Sequence, residues 1–565
     1  MTGHPSSSAA SMASFISSVN LTDTIFLLLV FFRLACRRII NLCGRVDANS
    51  QNNVGDLSVQ RDVSAPWWLG LSGEPSATSV DPIPARSIQF DSRKVQNGDV
   101  FVAIKGMVGD GHDYLDEAVR NGAIALILDQ GRSRADIPIP QYEVRNSRAS
   151  LAKISTAFEN YPGDSLCLVG VTGTNGKSTT SFILNSILGK ASLTTGMMTT
   201  IETRIGDKVL DNGTRLTSQE APYIQSKLAT MKSSGCSHVI IEATSIGLDM
   251  HRLDGCKFDV AIFTNLTSDH LDYHGDLASY VRAKTLLFRK LKENGHAIIN
   301  GSDEYARVFT EIASGQGAFT SEYNINNVTN IKMSTSGTAF EYTFAGANNS
   351  EKIQSRLVGN YNLENMLAAI QTAEILGIKH DFIRSGIEEL EQIPGRMEVV
   401  CREPFTVIVD YAHTEDSVEE VLGTLDQISH AARKIVIVGC AGERDRDRRT
   451  GIGRALAHGA NYALLTDEDP RGEDSMQILD EIAAAMTRAG KTEGEFFEKI
   501  PDRRAAIRRA FELAEEGDIV LIAGKGHESS IEYKSGVIPW SDVDTAIEVL
   551  NELGLETDPI SNSER

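Results

Sequence analysis

The chain has 565 residues, a formal net charge of −21 at neutral pH and 41% hydrophobic residues. Its length predicts three or four domains with sizeable cores, and its acidic charge argues against a broad basic face that binds nucleic acid. The seven scattered cysteines include no Cys-x-x-Cys pair, which argues against a disulfide framework or a zinc site and favours a reducing compartment.

The first 80 residues are predicted to be a leader or extension followed by a polar linker. Residues 1–22 are rich in serine and contain no acidic residue, and the apolar run 25–32 ends at an arginine. Eight apolar residues are too few to cross a bilayer, which needs about 20, so we expect no stable transmembrane span. A targeting segment, an interfacial amphipathic anchor and a disordered extension all remain open. We expect a cytoplasmic protein, or one in a plastid-type organelle if residues 1–80 are a targeting leader.

From residue 82 onward the pattern predicts a small α/β unit of roughly 80 residues. Short apolar runs bounded by glycine and aspartate indicate its strands, and one amphipathic segment indicates a helix. The predicted strands cover residues 87–90, 100–104 and 125–128, and the predicted helix covers residues 115–121.

A glycine-rich turn between a predicted strand at 166–171 and a predicted helix at 180–188 indicates a phosphate-binding loop. Glycines let backbone N–H groups approach an anion, and a helix N-terminus adds partial positive charge. Lys177 is expected to reach terminal phosphates, and the Ser178 hydroxyl is expected to ligate Mg²⁺. Because Val171 stands where the P-loop pattern requires its first glycine, a glycine-rich turn in an unrelated α/β protein is the alternative.

Strands and helices alternate after this loop, which predicts a parallel, doubly wound sheet. The next predicted elements are strands 238–243, 260–265 and 296–300 with helices 278–291 and 364–376. Residues 320–357 alternate polar and apolar residues and predict an antiparallel edge. A second doubly wound unit is predicted after residue 396, with strands 406–411, 434–439 and 519–524 and helices 416–428 and 476–489.

In such sheets, ligands bind beyond the carboxyl ends of the strands, so the residues there are candidates for a site. Glu242 follows one predicted strand and suits Mg²⁺, with a helix-capping carboxylate as the alternative. His270 lies in a polar segment whose spacing does not match zinc. Lys284, taken alone, is expected at the surface. Four polar loops in the C-terminal unit indicate a small zwitterionic ligand, although the acidic run 467–474 has a solvated face as its alternative.

Eight segments together resemble the Mur ligase family over residues 81–553, although each alone is weak evidence. They are Asp91-Ser92-Arg93, Gly173-Thr174-Asn175-Gly176-Lys177-Ser178, Asp269-His270-Leu271-Asp272-Tyr273-His274, Gly359-Asn360-Tyr361-Asn362, Pro394-Gly395-Arg396-Met397-Glu398, Asp410-Tyr411-Ala412-His413, Asp469-Pro470-Arg471 and Gly524-Lys525-Gly526-His527-Glu528. The resemblance implies an α/β fold with three domains: a uridine-nucleotide domain at 81–160, a central P-loop ATPase domain at 161–390 and a Rossmann-like domain at 391–555. A leader at 1–80 would precede them, and a tail at 556–565 would follow.

Within that family the chain resembles the ligases that add the third residue of the peptidoglycan stem peptide. The resemblance implies an acyl phosphate made with ATP and Mg²⁺ on UDP-N-acetylmuramoyl-L-alanyl-D-glutamate, which the amine of a diamino acid then attacks. We expect meso-diaminopimelate, with L-lysine or another amino acid as the alternative. More distant alternatives are a folylpolyglutamate-synthase-like ligase and a non-catalytic regulatory relative. We expect a monomer that binds no nucleic acid.

The resemblance also implies roles for individual residues. The residues implied to be catalytic are Lys177, Glu242, His270 and Lys284, of which Lys284 would be carbamylated. Those implied to bind ATP are Gly173, Thr174, Asn175, Gly176, Lys177, Ser178, Thr179, Asn362, Arg396 and Asp410. Those implied to ligate Mg²⁺ are Ser178, Glu242 and His270. Those implied to contact the UDP-substrate are Ser92, Thr217, Ser218, Thr244 and Arg252. Those implied to bind the amino acid are Arg444, Glu468, Asp469, Pro470, Arg471, Gly524 and Glu528.

Three segments depart from the family's pattern. The chain has Leu216-Thr217-Ser218 where the family has Asn-Thr-Thr, and Thr244-Ser245-Ile246 where it has Ser-Ser-His. The family's Asp-Asn-Pro-Arg segment reads Glu468-Asp469-Pro470-Arg471 here. Arg471 favours a substrate with a distal carboxylate, whereas the added charge of Asp469 favours a distal amine. These departures leave an altered acceptor open.

Overall fold

The computed structural model describes residues 66–74, 83–107, 109–210, 212, 216–267, 269–334 and 336–555. These residues form three α/β domains, which confirms the predicted architecture. The predicted leader falls largely on residues 1–65, and the predicted tail falls on 556–565, both outside the described residues. Within the described ranges, every helix is too short or too polar to cross a bilayer.

The N-terminal domain is a four-stranded parallel sheet in the order β1-β2-β3-β4. Apolar residues fill both faces, with Val100 and Val102 on one side of β2 and Phe101 on the other. Its elements are β1 (Ile88–Gln89), β2 (Val100–Val102), α1 (Leu115–Arg120), β3 (Ala125–Asp129), β4 (Gln141–Val144) and α2 (Ser147–Phe158).

The linker prediction is wrong for Trp67–Leu71, which form a 3₁₀ helix on the N-terminal domain. Trp67 is fully buried, and its ring N–H donates to the carbonyl of Ile83 at 2.8 Å. The close approach needs a glycine, because a Cβ on Gly70 would lie 2.5 Å from the backbone of Ile154. Burial of one tryptophan outweighs the polar composition of its neighbours.

The central domain is built on an eight-stranded sheet in the order β12-β11-β10-β5-β9-β6-β7-β8. Six strands are parallel, as predicted, and β7 and β8 extend the sheet antiparallel. Its elements are β5 (Cys167–Thr172), α3 (Lys177–Lys190), β6 (Thr195–Met198), β7 (Thr203–Ile205), β8 (Lys208–Leu210), α4 (Ala221–Ser233), β9 (His238–Glu242), α5 (Ser245–Asp249), β10 (Phe258–Phe263), α6 (Leu271–His274), α7 (Leu277–Phe288), β11 (Leu291–Asn300), α8 (Ala306–Gly315) and β12 (Phe319–Tyr323).

Residues 320–357 do not form an antiparallel edge of this sheet. β12 pairs parallel with β11, and the following residues form a separate antiparallel sheet of three strands. Its alternating apolar residues, among them Phe340 and Ile353, instead face the hydrophobic core that contains the helix after it. The elements are β13 (Val328–Ser334), β14 (Gly337–Tyr342), β15 (Glu351–Ser355), α9 (Asn360–Ile375) and α10 (His380–Glu388).

The C-terminal domain has a six-stranded sheet in the order β16-β17-β21-β18-β19-β20, antiparallel only at β16, and a separate hairpin of β22 and β23. Strands β18 and β21 are fully buried, which agrees with their continuous apolar sequence. The elements are β16 (Glu398–Cys401), β17 (Thr406–Asp410), α11 (Glu415–Ile428), β18 (Lys434–Val438), α12 (Asp447–Gly459), β19 (Tyr462–Leu465), α13 (Ser475–Arg488), β20 (Phe497–Lys499), α14 (Arg503–Leu513), β21 (Ile519–Ala523), β22 (Ser530–Tyr533), β23 (Gly536–Pro539) and α15 (Asp542–Glu552).

Candidate functional site

The predicted phosphate-binding loop joins β5 to α3, and its glycines are sterically required. Gly173 has φ +153°, and a Cβ there would lie 1.8 Å from Thr264 Oγ1. Gly176 has φ +82°, and a Cβ there would lie 2.2 Å from Asn365 Oδ1. Position 171, where the P-loop pattern has glycine, is a buried strand residue in this chain. The backbone after β5 therefore has the close approaches of a phosphate cradle without the usual first glycine.

Two lysines converge on the carbonyl group of Gly173. Lys177 Nζ donates to the carbonyls of Gly173 at 3.1 Å and Thr174 at 2.7 Å. Lys284 Nζ donates to Gly173 at 2.6 Å and lies 4.4 Å from the ring centre of Tyr280. Among the described residues, neither lysine forms an ion pair with a carboxylate. The site thus holds two lysine amines that bond to the same carbonyl group and have no carboxylate partner at close range in the described part of the chain.

The structure corrects the expectation that Lys284, taken alone, is a surface lysine. Lys284 is only 2% exposed and lies on α7, beside the phosphate-binding loop. Burial, reinforced by the charge of Lys177, holds the pKa of Lys284 well below its usual range. Burial also lowers the pKa of Lys177. A lysine amine with a lowered pKa is more often neutral, which is the form that reacts with carbon dioxide to give a carbamate.

Glu242 lies at the carboxyl end of β9, directly across from Val171 of β5. Its carboxylate accepts hydrogen bonds from the backbone N–H of Thr200 at 3.3 Å and from the Thr200 hydroxyl at 3.0 Å. Ser178 is the second residue of α3, directly after the loop, and is 3% exposed. These are hard oxygen donors at one edge of the sheet, and Mg²⁺ prefers oxygen ligands and keeps several waters. The donor set therefore fits Mg²⁺ without needing a cage of four protein ligands.

His270 begins α6 with φ +54°, a left-handed conformation that costs energy for a residue with a side chain. Its ring Nε2 lies 3.5 Å from Asp269 Oδ2, and Asp269 Oδ1 is 2.9 Å from Nη2 of Arg448 in the C-terminal domain. Burial alone would raise the pKa of Asp269, but His270 and Arg448 hold it well below its usual range. Asp269 and Arg448 were not predicted as site residues, and together they join two domains at this edge.

Four residues predicted to contact the muramoyl peptide lie in one hydrogen-bond network beside Glu242. Thr217 bonds to the Thr200 hydroxyl at 2.8 Å, and the Ser218 hydroxyl donates to the Glu242 carbonyl at 2.9 Å. The Thr244 hydroxyl and Ser218 hydroxyl are 3.0 Å apart. Arg252 donates to the Ser218 carbonyl at 3.0 Å and to the Glu220 carboxylate at 2.9 Å, so it extends the network to Glu220. Thr200, which sequence reasoning missed, connects this network to Glu242.

Ser92, the predicted uridine-nucleotide contact, lies in the N-terminal domain and is 6% exposed. Its hydroxyl donates to the Glu117 carboxylate at 2.5 Å, and its carbonyl accepts from the Asn121 side chain at 2.9 Å. The sequence pattern Asp91-Ser92-Arg93 therefore forms a locally bonded turn on this domain.

The predicted ATP-binding residues of the later segments lie at the junction of the central and C-terminal domains. Asn362 donates to the carbonyl of Val358 at 2.7 Å within the start of α9. The guanidinium of Arg396 lies 4.7 Å from the ring centre of Tyr411. Asp410 ends β17 and accepts from the backbone N–H groups of Met397 and Ala412, both at 2.7 Å. Burial raises the pKa of Asp410, with Arg396 opposing.

The loops after β19 and β21 meet through a buried ion pair. Lys525, fully buried, lies 3.0 Å from Asp469 Oδ1 and 2.5 Å from Glu528 Oε2. Asp469 also accepts from the backbone N–H of Glu532 at 2.9 Å. Burial raises the pKa of neighbouring Glu468 to about 7, with Lys525 opposing that rise. The charge of Asp469 is therefore balanced inside the protein.

The predicted arginines of this domain differ in their surroundings. Arg471 has φ +55°, and its guanidinium lies 3.3 Å from Glu532 Oε2 and 3.0 Å from the carbonyl of Gly442. Arg444 is exposed. Pro470 and Gly524 are buried parts of the loops themselves. Lys525 could have been found from the sequence, since it stands inside the segment Gly524-Lys525-Gly526-His527-Glu528.

Three family models match the chain. "Mur ligase family, catalytic domain" matches residues 85–158, "Mur ligase middle domain" matches residues 171–373, and "Mur ligase, glutamate ligase domain" matches residues 395–526. The three matched segments fall one in each of the three structural domains.

Two curated relatives and one solved structure are similar over most of their lengths. A "UDP-N-acetylmuramyl-tripeptide synthetase" of Roseiflexus sp. is 37% identical over 83% of this chain and 94% of its own. A "UDP-N-acetylmuramoyl-L-alanyl-D-glutamate--2,6-diaminopimelate ligase" of Halalkalibacterium halodurans is also 37% identical, over 82% and 94%. A solved structure of a ligase with this second name is 30% identical, with a TM-score of 0.58 over 83% of this chain and 96% of that chain.

Proposed function

This chain belongs to the Mur ligase family, and from that membership we propose that it joins a diamino acid, meso-diaminopimelate, to UDP-N-acetylmuramoyl-L-alanyl-D-glutamate at the expense of ATP. The Halalkalibacterium halodurans relative carries this acceptor and 2,6-diaminopimelate in its name, and the Roseiflexus relative is named as a UDP-N-acetylmuramyl-tripeptide synthetase. Members of the family are ATP-dependent, ADP-forming ligases.

The observation that carries the proposal is Lys177 at the phosphate-binding loop, with Lys284 of α7 beside it. Lys177 and Lys284 both bond to the Gly173 carbonyl, and neither forms an ion pair with a carboxylate within the described ranges. Lys177 is a partly buried cation without an anionic partner among the described residues, so it favours the binding of an anion beside the loop. The phosphates of ATP are anions of this kind, and the helix N-terminus of α3 points at the same loop.

The first step is transfer of the γ-phosphoryl group of ATP to the free carboxylate of the acceptor, which releases ADP. The loop from Gly173 to Thr179 would hold the ATP phosphates, and Lys177 would neutralise charge that develops on the transferred group. Ser178, Glu242 and His270 would hold Mg²⁺, which neutralises phosphate charge when it is bound. A carbamate on Lys284 would add an anion at this edge of the sheet.

The second step is attack of the substrate amine on the carbonyl carbon of the acyl phosphate. A tetrahedral intermediate forms, phosphate leaves with its bonding electrons, and the nitrogen loses a proton as the amide forms. The protein's task is to bring both substrates together and to neutralise charge. Arg448, which connects the C-terminal domain to Asp269, supports this arrangement, because it lies between the metal-binding edge and the loop of Glu468.

The internal pairing of Asp469 favours meso-diaminopimelate over L-lysine as the substrate. If Asp469 were available, its charge would attract the distal ammonium of lysine, but Lys525 lies 3.0 Å from it. Arg471 is a fork that binds carboxylates, and its present partner Glu532 has a side chain that is 40% exposed. A distal carboxylate that replaces Glu532 at Arg471 is a contact that diaminopimelate provides and lysine does not.

The test is phosphate release by the full chain with ATP, Mg²⁺, the UDP-dipeptide and one amino acid at a time. We expect release with meso-diaminopimelate and little with L-lysine or L-glutamate. Release with lysine but not with diaminopimelate would assign the alternative amino acid. Release with a folate acceptor instead of the UDP-dipeptide would assign a folylpolyglutamate-synthase-like activity, and release with no combination would favour the non-catalytic reading.

A further inference from the structure

The C-terminal domain contains a second buried ion pair, which no motif of the sequence singled out. Arg503 is the first residue of α14, and Asp542 is the first residue of α15. Both side chains are fully buried. Arg503 Nε and Nη2 each lie 2.7 Å from one oxygen of the Asp542 carboxylate, the bidentate geometry of an arginine–carboxylate pair.

The guanidinium of Arg503 also donates to two backbone carbonyls, one at the start of each loop that carries the predicted amino-acid site. Its Nη1 donates to the carbonyl of Asp467 at 3.1 Å, and its Nη2 donates to the carbonyl of Ala523 at 2.8 Å. Asp467 immediately precedes Glu468, and Ala523 immediately precedes Gly524. Ala523 is the last residue of β21, and Asp467 lies two residues beyond the end of β19. In the sheet, β18 lies between these two strands. One side chain therefore spans two strand ends that are not neighbours.

The carboxylate of Asp542 also contacts the segment next to the hairpin of β22 and β23. Its Oδ1 accepts from the ring N–H of Trp540 at 2.8 Å, and the Trp540 backbone N–H donates to the carbonyl of Ser529 at 2.9 Å. These contacts close the base of the hairpin of β22 and β23. That hairpin carries Glu532, the partner of Arg471.

The energetics of buried charges argue that this pair does more than stabilise the fold. Two charges removed from water lose hydration that their attraction barely repays, and apolar residues of similar volume stabilise a core as well or better. A guanidinium provides what apolar residues do not, namely four directed hydrogen bonds that fix the relative positions of separate segments. Here those segments are the two loops and the hairpin base.

We propose that Arg503, held by Asp542, is a positioning residue that sets the spacing of the amino-acid-binding loops and thereby the affinity for the amine substrate. This inference rests on the proposed ligase function and adds a residue to its amino-acid site. Arg503 itself is fully buried below the loops and acts through the backbone of Asp467 and Ala523. Its effect falls on the amine substrate, because its contacts lie in the C-terminal domain, away from the phosphate-binding loop.

The test compares Arg503→Lys with Arg504→Lys in the full chain. Lysine keeps the positive charge at position 503 but lacks the planar fork that contacts Asp542 and both carbonyls. The neighbouring Arg504 is 37% exposed and pairs with Glu548 and Glu552, so it is the matched control on the same helix. For each protein we would measure KM for ATP, the UDP-dipeptide and meso-diaminopimelate, together with kcat and Tm.

We expect Arg503→Lys to raise KM for diaminopimelate about tenfold, while the other two KM values stay within about twofold. Tm should fall by no more than about 5 °C, and Arg504→Lys should match the wild type. An unchanged KM for diaminopimelate, or an equal rise in all three KM values, would overturn the inference.

A second variant covers the case in which Arg503→Lys does not fold. Asp542→Asn keeps the guanidinium and its two backbone contacts but weakens the anchor, so a smaller rise in the same single KM is expected. If neither variant folds, the pair serves folding and the inference is wrong. If the wild type turns over no amino acid, the proposed function fails, and this inference fails with it.

Discussion

The two sides of the candidate site hold their basic side chains in opposite ways. On the central domain, Lys177 and Lys284 bond to backbone carbonyls, and no carboxylate pairs with either among the described residues. On the C-terminal domain, Lys525 and Arg503 are fully buried, and each is held by carboxylates. The first arrangement leaves the charge of Lys177 to an anionic ligand and keeps Lys284 as an amine of lowered pKa, and the second uses charge to fix the shape of loops. Phosphoryl transfer and amine selection therefore place different demands on similar side chains.

Removal of Lys177 should have the largest effect, because it deletes the lysine charge that faces the phosphates. We expect Lys177→Met to lower the rate of phosphate release about 1000-fold, with little change in Tm. Lys190→Met is the control, since Lys190 lies at the other end of α3 and pairs with Glu389. A rate within tenfold of the wild type would show that the loop does not depend on this charge.

Lys284→Ala tests whether the second lysine acts as a carbamate. We expect a loss of about 100-fold in rate, because an anion at the metal-binding edge is removed. Added formate or acetate should restore part of the activity by supplying a carboxylate in its place. The same salts should not restore Lys177→Met, which controls for a general salt effect. Full activity of the alanine variant would contradict a carbamate role.

In the C-terminal domain, Lys525→Met should mainly change KM for the amine substrate. It leaves Asp469 and Glu528 without their shared cation, and we expect KM for diaminopimelate to rise about tenfold. Asp469→Asn should raise the same KM only about threefold, since Lys525 still has the Glu528 carboxylate as its partner. Steady-state kinetics at varied diaminopimelate concentration would measure both. A larger effect of Asp469→Asn would mean that Asp469 contacts the substrate directly.

The smallest expected effect is on the pH dependence of stability, through Glu468. Burial raises its pKa to about 7 from an ordinary 4.5, so the folded protein binds more protons than the unfolded chain between these values. Stability from this group is therefore present below pH 4.5 and is lost as pH rises to about 7. Glu468→Gln should reduce this loss of stability. The Tm of the variant minus the Tm of the wild type should therefore be larger at pH 8 than at pH 5. An identical Tm difference at both pH values would contradict the raised pKa.

The sequence allowed the sheet architecture to be predicted because buried parallel strands read as continuous apolar runs. The strand predicted at 434–439 is β18, Lys434–Val438, and the strand predicted at 519–524 is β21, Ile519–Ala523. The helices α12 and α14 were missed, because they are rich in arginine, which interrupts the spacing of their apolar residues. Trp67–Leu71 was missed because short segments that dock on a domain carry no periodicity of their own.

The candidate site was predicted from loops after strands, and what was missed lies in contacts between distant segments. Asp269 stands next to a predicted residue, but its partner Arg448 is 179 residues away in another domain. Asn365 of α9 lies directly against Gly176 of the phosphate-binding loop. This contact exists only because α9 packs beside the loop in the folded protein. Arg503 is likewise an ordinary helix residue in sequence. Such pairs depend on tertiary packing, which a local pattern does not contain.

The most direct test of the whole account is a competition between two amine substrates. The full chain would be incubated with ATP, Mg²⁺, UDP-N-acetylmuramoyl-L-alanyl-D-glutamate and equal concentrations of meso-diaminopimelate and L-lysine, and the product would be identified by mass spectrometry. We predict the diaminopimelate-containing UDP-tripeptide and stoichiometric ADP and phosphate. A lysine-containing product would contradict the assignment of Asp469 and Arg471, and the absence of any UDP-tripeptide would contradict the ligase function itself.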